Sequence, residues 1–307
     1  MVTFLILLKR MLALLFMMAC GYVAYRRKWV GEEGYSGLST IVANVFNPIL
    51  LFQSVIIADR TISSKQIGQN LILVAIYFVI LIVLGFIIPM VLLVKGTEKY
   101  QYNLMTLFSN VGFMAIPVLS ALYGDSATIY IIFYVLVYNV LAYSYGIFLC
   151  VKTKKGKAKF DWKVMWNPGL VGAILALLLY VSKIQVSDPF TTICDYMGNA
   201  TIPLSMFVTG ISIAKFPLKE YLSGARVYIY SAIKLLLIPI IGALIIRQFS
   251  VDEMIKNVFV LELAMPVGAV ILALNKNYGE NEIVVSRGIV ISTVLSIITI
   301  PIVALFL

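Results

Sequence analysis

Two short stretches decide the fold: Ser-Asn-Val-Gly-Phe-Met-Ala-Ile-Pro at residues 109–117 and Glu-Leu-Ala-Met-Pro-Val-Gly at residues 262–268. Each interrupts a long apolar run. A proline removes one backbone donor and clashes with a preceding carbonyl, so both helices are expected to open near Pro117 and Pro266. Backbone groups freed in a membrane are tolerated only inside protein or along a water-filled cavity. The stretches therefore predict a polar site at the bilayer midplane; the alternative is two simple kinks packed by small residues.

The composition places these stretches in a membrane. Hydrophobic residues make up 62% of the 307 residues and charged residues 12%, whereas soluble domains have about 45–50% and about 25%. Apolar runs recur that can each cross a hydrocarbon core of ~30 Å, without the alternation of barrel strands. The predicted fold class is an all-α membrane protein of ten transmembrane helices, at residues 3–24, 36–57, 68–94, 101–122, 127–150, 168–184, 189–214, 223–249, 254–276 and 283–306.

The basic residues indicate how the chain is oriented. Loops and the adjoining ends of spans carry 16 Lys and Arg residues on one side and 7 on the other, and Lys234 lies deep within a span. Because cytoplasmic loops are enriched in Lys and Arg, both termini are predicted to lie outside the cell (plasma) membrane and residues 151–167 in the cytoplasm. The net charge of +10 is distributed over these short loops, so we expect membrane lipid, and no nucleic acid, as a partner.

An internal repeat relates the two halves of the chain. Four features of residues 1–150 recur in the same order in residues 168–307, at offsets of 149 to 155 residues. They are Asn44-x3-Pro48 with Asn199-x3-Pro203, Pro89 with Pro239, Pro117 with Pro266, and Tyr123-Gly124-Asp125 with Tyr278-Gly279-Glu280. Each half contains five predicted spans, an odd number, so the second half must be inserted upside down relative to the first. Residues 151–167 are then the linker.

The two predicted openings suit an anion. N–H groups at the start of a half-helix are unpaired and lie at the positive end of the helix dipole, which favours a carboxylate. Gly112 and Gly268 would allow close backbone approach. A small organic anion is therefore the expected substrate class. The chain has no His, and neither a cofactor nor a metal is expected.

Several motifs together resemble the auxin efflux carrier family, which includes the plant PIN-FORMED carriers and bacterial members often linked to malate or malonate. They are Asn110-x-Gly112-Phe113-x3-Pro117, Tyr138-Asn139, Asn199-x3-Pro203 followed by Gly210, and Ala264-Met265-Pro266 with Tyr278-Gly279. The resemblance covers essentially the whole chain and implies a transporter of an auxin-like anion or of a mono- or dicarboxylate. The long hydrophilic loop of many plant members is replaced by about 17 residues, so regulation through that loop is not expected.

The resemblance also implies a mechanism and a site. Residues 1–57 and 168–214 would form a scaffold that carries the Asn-x3-Pro motifs, and residues 68–150 and 223–307 a transport unit that moves past it in an elevator mechanism. Family members resemble one another in being homodimers, and a dimer through scaffold helices is expected. The substrate would bind where broken helices four and nine cross. Carried over by position, the site would comprise Asn110, Gly112, Ile116, Pro117, Val118, Tyr138, Asn139, Met265, Pro266 and Val267.

Lys234 and Glu262 are predicted to lie deep in the membrane. Intramembrane charges are costly and are functional candidates by default. The two residues are a natural pair because their spans are consecutive, and the pair is either a proton- or charge-coupling switch or a static salt bridge. Asp195 is interpreted as lying near the outer interface. Without His, a proton relay would have to use carboxylates, Lys or Tyr.

Other functions fit the sequence less well. An enzyme is not expected, because the chain has no His, metal-binding cluster or Gly-x-Ser-x-Gly elbow. A channel or a receptor is disfavoured by an inverted repeat with two broken spans. The main alternative is a cation/proton antiporter or a bile-acid-symporter-like carrier of similar design. Such a carrier would need acidic residues at the crossing, and the first opening has none between Tyr100 and Asp125.

Overall fold

The computed structural model describes residues 2–57, 62–153, 166, 168–215, 224–280 and 283–307. In these residues all regular secondary structure is helical and there are no strands, which confirms the predicted all-α class. The helices, numbered along the chain, are α1 Val2–Arg26, α2 Glu32–Ile56, α3 Ser64–Val91, α4 Glu98–Leu107, α5 Ala115–Tyr123, α6 Thr128–Thr153, α7 Pro168–Ser182, α8 Phe190–Ala214, α9 Ala225–Ile246, α10 Glu253–Ala264, α11 Val270–Tyr278 and α12 Ile283–Val303.

Seven helices in the described part of the chain are long and apolar enough to cross a membrane: α1, α2, α3, α6, α8, α9 and α12. They coincide with seven of the ten predicted spans. The predicted spans 101–122 and 254–276 are each divided into two short helices, and α7 is a shorter apolar helix of 15 residues. Several apolar helices of this length make the chain a multi-pass membrane protein.

The surface of α3 shows how the fold meets lipid. Ile72, Val79 and Met90 are 61%, 59% and 71% exposed, while Tyr77 and Leu81 on the same helix are fully buried. The helix is therefore apolar on its outer face as well as on its packed face. Such a helix is stable only where its surroundings are apolar all round, as in a bilayer.

Three long helices contain a π-helical turn: Val42–Phe46 in α2, Ala142–Gly146 in α6 and Ile233–Leu237 in α9. In α2 and α9 a proline, Pro48 or Pro239, lies two residues after the turn. A proline has no N–H and pushes against the carbonyl of the preceding turn, and a widened turn accommodates both effects. Such turns are frequent at functional sites, and these two carry Asn44 and Lys234.

Helices α1 and α8 cross in direct backbone contact. A methyl group placed on Gly21 would lie 2.0 Å from the Phe207 carbonyl oxygen, and one on Gly210 would lie 1.9 Å from the Met18 carbonyl oxygen. Small residues permit such approach in membranes, where close packing rather than the hydrophobic effect holds helices together. The two glycines therefore fix the distance between these helices.

The helices form two groups that contact each other. In the first group, α2 packs on α7, where Gly172 faces Pro48, and on α8, where Gly198 faces Gln53, and α8 packs on α1. The second group contains α3 to α6 and α9 to α12, with the interrupted helices inside it. Helix α1 also contacts α5 and α12 of the second group. The interrupted helices thus lie next to the boundary between the groups.

Gly210→Ala is expected to destabilise the protein although alanine is the better helix former. Its methyl group overlaps the Met18 carbonyl, and overpacking of this kind costs about 1–3 kcal/mol. Gly68→Ala is the matched control, because a methyl group at that helical position would meet nothing within 4 Å. Thermal unfolding in detergent should show a lower midpoint for Gly210→Ala and an unchanged or higher one for Gly68→Ala. Equal midpoints for the two variants would contradict the packing described here.

Candidate functional site

Two interrupted helices meet inside the second group. Residues 108–114 separate α4 from α5, and residues 265–269 separate α10 from α11. The second interruption contains Pro266, where an opening is expected. The first does not contain Pro117, which lies in the first turn of α5, so the opening expected at Pro117 lies before it. Proline is tolerated in a first turn because the N–H that it lacks would have no partner within the helix.

The two non-helical segments are hydrogen-bonded to each other. The Asn110 N–H donates to the Pro266 carbonyl at 2.7 Å, and the Gly268 N–H donates to the Phe108 carbonyl at 2.8 Å. Together these bonds form an antiparallel β-bridge. Backbone groups freed by the two breaks therefore satisfy each other, as buried backbone in a membrane requires. The crossing is a direct junction between the two halves of the chain.

Glycine is needed at one side of this crossing. A methyl group on Gly268 would lie 3.1 Å from both the Ser109 carbonyl oxygen and the Tyr138 hydroxyl. These distances are tighter than ordinary van der Waals contact, so Gly268 permits the close approach. A methyl group on Gly112 would meet only a Val135 methyl at 3.7 Å. Space beside Gly112 is therefore open.

A cavity opens beside the crossing, which we call the first cavity. Its inner part, about 390 Å³, is lined by the predicted residues Asn110, Gly112, Tyr138 and Asn139. Its outer part, about 860 Å³, extends along α2 and α8 to the N-terminal end of α2 near Tyr35. Residues that line both parts are Asn47, Phe113, Asn139, Ala269 and Val270. This shared lining connects the crossing to one end of the helices.

The first cavity contains polar groups that the fold does not use. The Asn110 side chain is 7% exposed and makes no hydrogen bond with a described residue. The Tyr138 hydroxyl likewise makes none, and its ring packs edge-on against Phe108 at 5.4 Å. The Asn139 side-chain nitrogen donates to the Val135 carbonyl at 2.8 Å. The Asn139 side-chain oxygen thus remains as an acceptor for a ligand. Neutral donors and acceptors are thus directed at the space beside the crossing.

A second cavity of about 1140 Å³ reaches the half-helix α5, which follows the first interruption. The predicted residues Ile116 and Pro117 line it, together with Asn199 and Pro203 of the repeated Asn-x3-Pro motif. It extends to Ile57 at the C-terminal end of α2, whereas the first cavity extends to the N-terminal end of that helix. The first broken helix is therefore lined by one cavity at the crossing and by the other along α5.

The remaining predicted residues take other positions. Four of them line neither cavity and are buried in the core: Val118, Met265, Pro266 and Val267. Val118 packs within α5, while the other three contribute their backbone to the second interruption. In the Asn-x3-Pro motif of α2, Asn44 lines the first cavity and Pro48 packs on Gly172. No motif marked Asn47, three residues after Asn44, although it lines both parts of the first cavity.

Lys234 and Glu262 are both fully buried but are not in direct contact. The Lys234 ammonium donates to the Ser109 hydroxyl at 2.7 Å, in the first interruption. In the part of the chain that the structure describes, both Glu262 carboxylate oxygens are buried without a hydrogen-bond partner. The Tyr77 hydroxyl donates to the Glu262 backbone carbonyl at 3.4 Å. Lys234 and Glu262, the predicted pair, therefore do not form a direct salt bridge, and the Lys234 ammonium binds Ser109 instead.

Each of the two buried charges therefore lies against one interruption. Lys234 binds the segment between α4 and α5, and Glu262 is in the last turn of α10, where its carbonyl accepts from the Met265 N–H at 3.2 Å. Ser109 joins Lys234 to the crossing, and no sequence motif marked that serine as a partner. Among the described residues, no group of three or more His, Cys, Asp and Glu side chains is close enough to hold a metal ion.

Comparison with known proteins finds relatives along nearly the whole chain. The model of a family described as "Membrane transport protein" matches residues 6–304. A protein of Methanothermobacter thermautotrophicus described as an uncharacterized transporter is 24% identical over 310 residues, which cover 94% of this chain and 95% of the relative. An uncharacterized transporter of Methanocaldococcus jannaschii is 24% identical over 297 residues, again 94% of this chain and 95% of the relative. Both interruptions and both cavities lie within the matched region.

Proposed function

This chain belongs to the auxin efflux carrier family of membrane transport proteins, and on that premise we propose that it is a secondary transporter that carries a small organic anion by alternating access. Membership of this family implies a transported substrate and a lipid environment. The observation that carries this proposal is a pair of cavities beside the first broken helix. The first cavity reaches the crossing and extends to the N-terminal end of α2, and the second reaches α5 and extends to the C-terminal end of α2. A carrier needs access to its site from both sides in turn, and the two cavities approach this broken helix along opposite ends of α2.

The chemistry of the first cavity favours an anion. Its polar groups at the crossing are the unpaired Asn110 amide and Tyr138 hydroxyl, and the N-terminal ends of α5 and α11 lie beside them. Helix N-termini and neutral donors stabilise a carboxylate. Among the described lining residues none carries a carboxylate of its own. We therefore propose an auxin-like acid or a mono- or dicarboxylate, such as malate or malonate, as substrate.

The alternative of a cation/proton antiporter, or of a bile-acid-symporter-like carrier, needs acidic side chains at the binding site. Glu262 is the acid nearest to the second interruption along the chain, but it is fully buried and lines neither cavity. A cation in the first cavity would therefore meet amides and hydroxyls without a compensating charge. This arrangement favours the organic anion over the cation.

The two groups of helices support an elevator mechanism. We assign the first group to the scaffold, residues 1–57 and 168–214, and the second to the transport unit, residues 68–150 and 223–307. Contacts at glycines hold the scaffold helices together, and both cavities lie between the groups. We propose ten spans in two inverted halves, and the linker at 151–167 falls almost entirely outside the described residues.

We further propose that both termini lie outside the plasma membrane and that the protein is a homodimer through its scaffold helices. A unit that moves against a scaffold benefits from a broad, immobile anchor, and a second copy supplies one. Mass measurement in lipid nanodiscs should give two chains per particle. A uniform monomer in nanodiscs would contradict the dimer without affecting the proposed substrate class.

Transport in proteoliposomes tests the proposed function. Radiolabelled malate, malonate and indole-3-acetate would be offered to vesicles with the purified protein and to protein-free vesicles. We expect saturable uptake of at least one of these acids, accelerated when the same unlabelled acid is loaded inside, because a carrier returns faster when it is occupied. Flux that rises linearly without counterflow would indicate a channel. No uptake of any of the three acids would contradict the proposed substrate class.

A further inference from the structure

Arg10 is a charged residue within a membrane-spanning helix, and it has no partner there. It lies in the apolar segment Leu5–Arg26 of α1. Its side chain is exposed and makes no hydrogen bond or ion pair with any described residue. Arg10 is the sixth residue of this segment, and an ionisable residue in a membrane-spanning segment usually faces a water-filled cavity and marks a substrate pathway. The position of Arg10 therefore needs an explanation beyond stability.

Arg10 faces the second cavity. The α1 residues in the cavity wall recur at the spacing of one helix face: Arg10, Ala13, Leu14 and Met17. The half-helix α5 also lines this cavity, with Ile116, Pro117 and Ser120. Lys9, the neighbouring cation, is exposed but does not line this cavity. Of these two adjacent cations, only Arg10 thus lines the cavity that reaches α5.

The other polar side chains that line the second cavity are neutral. They are side-chain amides and hydroxyls that can accept or donate hydrogen bonds: Gln53, Ser54, Ser120, Thr128 and Asn199. Asp195 accepts a hydrogen bond from the Gln53 amide at 3.3 Å but does not line the cavity. Arg10 is therefore the charged group among the described lining residues. A cavity with one sign of charge and low-dielectric walls concentrates ions of the opposite sign.

We propose that the second cavity is a carboxylate-binding vestibule and that Arg10 recognises the anion there. A guanidinium group presents a planar fork of donors that matches a carboxylate, which a lysine ammonium does not. The proposal rests on the proposed function, because it names the residue that selects the carried anion on the side opposite Asn110. Arg10 lies on a scaffold helix, so it contributes to binding on one side of the membrane and does not travel with the substrate.

The test compares three variants in the proteoliposome assay, with whichever of malate, malonate and indole-3-acetate the wild type carries fastest. Arg10→Gln should raise KM about tenfold with little change in the maximal rate, because a steering charge acts on capture of the anion. The wild-type KM should rise with ionic strength, since salt screens exposed charges, and this dependence should weaken in Arg10→Gln. Lys9→Gln should match the wild type in both respects. Arg10→Lys should recover part of the affinity and the salt dependence.

Three outcomes would overturn the inference. A KM and a salt dependence of Arg10→Gln equal to those of the wild type would leave Arg10 as a contact for lipid headgroups. Equal effects of Lys9→Gln and Arg10→Gln would indicate a general surface charge. A lower thermal midpoint with a reduced maximal rate and unchanged KM would indicate a structural role for Arg10. Absence of saturable uptake by the wild type would instead contradict the proposed function, so the two failures are distinguishable.

Discussion

Asn110→Asp is expected to abolish anion uptake in proteoliposomes, whereas Asn110→Ala should only reduce it. The Asn110 amide lies in the first cavity without a hydrogen-bond partner among the described residues. Loss of a hydrogen bond to a charged ligand costs about 1.5–3 kcal/mol, which corresponds to about a 10- to 100-fold lower ratio of maximal uptake rate to KM. A carboxylate at this position also repels the anion, and like charges brought together cost several kcal/mol more. Asp should therefore reduce uptake at least about tenfold beyond Ala.

The same pair of variants separates the anion carrier from the cation carrier. If the site bound a cation, Asn110→Asp would supply the missing negative charge and would preserve or increase transport, while Asn110→Ala would still weaken it. Thermal midpoints of both variants provide the folding control. The hydrogen bond from Asn110 to Pro266 is made by backbone atoms, so neither substitution removes it. Uptake by Asn110→Asp that equals or exceeds uptake by Asn110→Ala would contradict an anion at this position.

The long helices and the approximate positions of the interruptions could be predicted from the sequence, because both depend on neighbouring residues. Apolar runs longer than the bilayer is thick predicted the seven long helices, because that pattern depends only on neighbouring residues. Proline correctly marked the second interruption at Pro266. The first interruption begins at residue 108, well before Pro117, because proline fits the first turn of a helix as well as it ends one. A proline alone therefore locates a break only to within a few residues.

The site was harder to predict because it depends on side-chain direction and on contacts between distant segments. Position in a motif placed Asn110 and Val118 in one set, yet the first faces a cavity and the second is fully buried. The hydrogen bond between Lys234 and Ser109 joins residues 125 positions apart. Nothing in the local sequence of either residue indicated the other as its partner. Arg10 was counted as a charge that sets orientation, and only the cavity wall distinguishes it from Lys9.

Single neutralisation of Lys234 or Glu262 should destabilise the protein more than removal of both charges. The two residues are fully buried, and an uncompensated buried charge typically costs ~3–5 kcal/mol, whereas replacing both members of a pair can be nearly neutral. Lys234→Met leaves the Glu262 carboxylate with neither a hydrogen bond nor a counter-charge, while Glu262→Gln leaves the lysine its bond to Ser109. Lys234→Met should therefore be the more damaging single change. Thermal melts of the two single variants and the double variant measure the order, and a double variant less stable than both single variants would contradict the electrostatic coupling.

Whether these charges couple transport to protons is a separate question from their effect on stability. A coupling switch needs a group that gains and loses a proton during transport, whereas a structural pair needs only mutual neutralisation. A change in the protonation of either residue would act directly on the crossing, because Lys234 binds Ser109 and the Glu262 carbonyl accepts from Met265. The folded double variant should then retain anion uptake but lose its dependence on pH, measured in proteoliposomes from about pH 5.5 to about pH 8. An unchanged pH profile would leave the charges a structural role, and the coupling would have to reside in Asp195 or in the carboxyl group of the substrate itself.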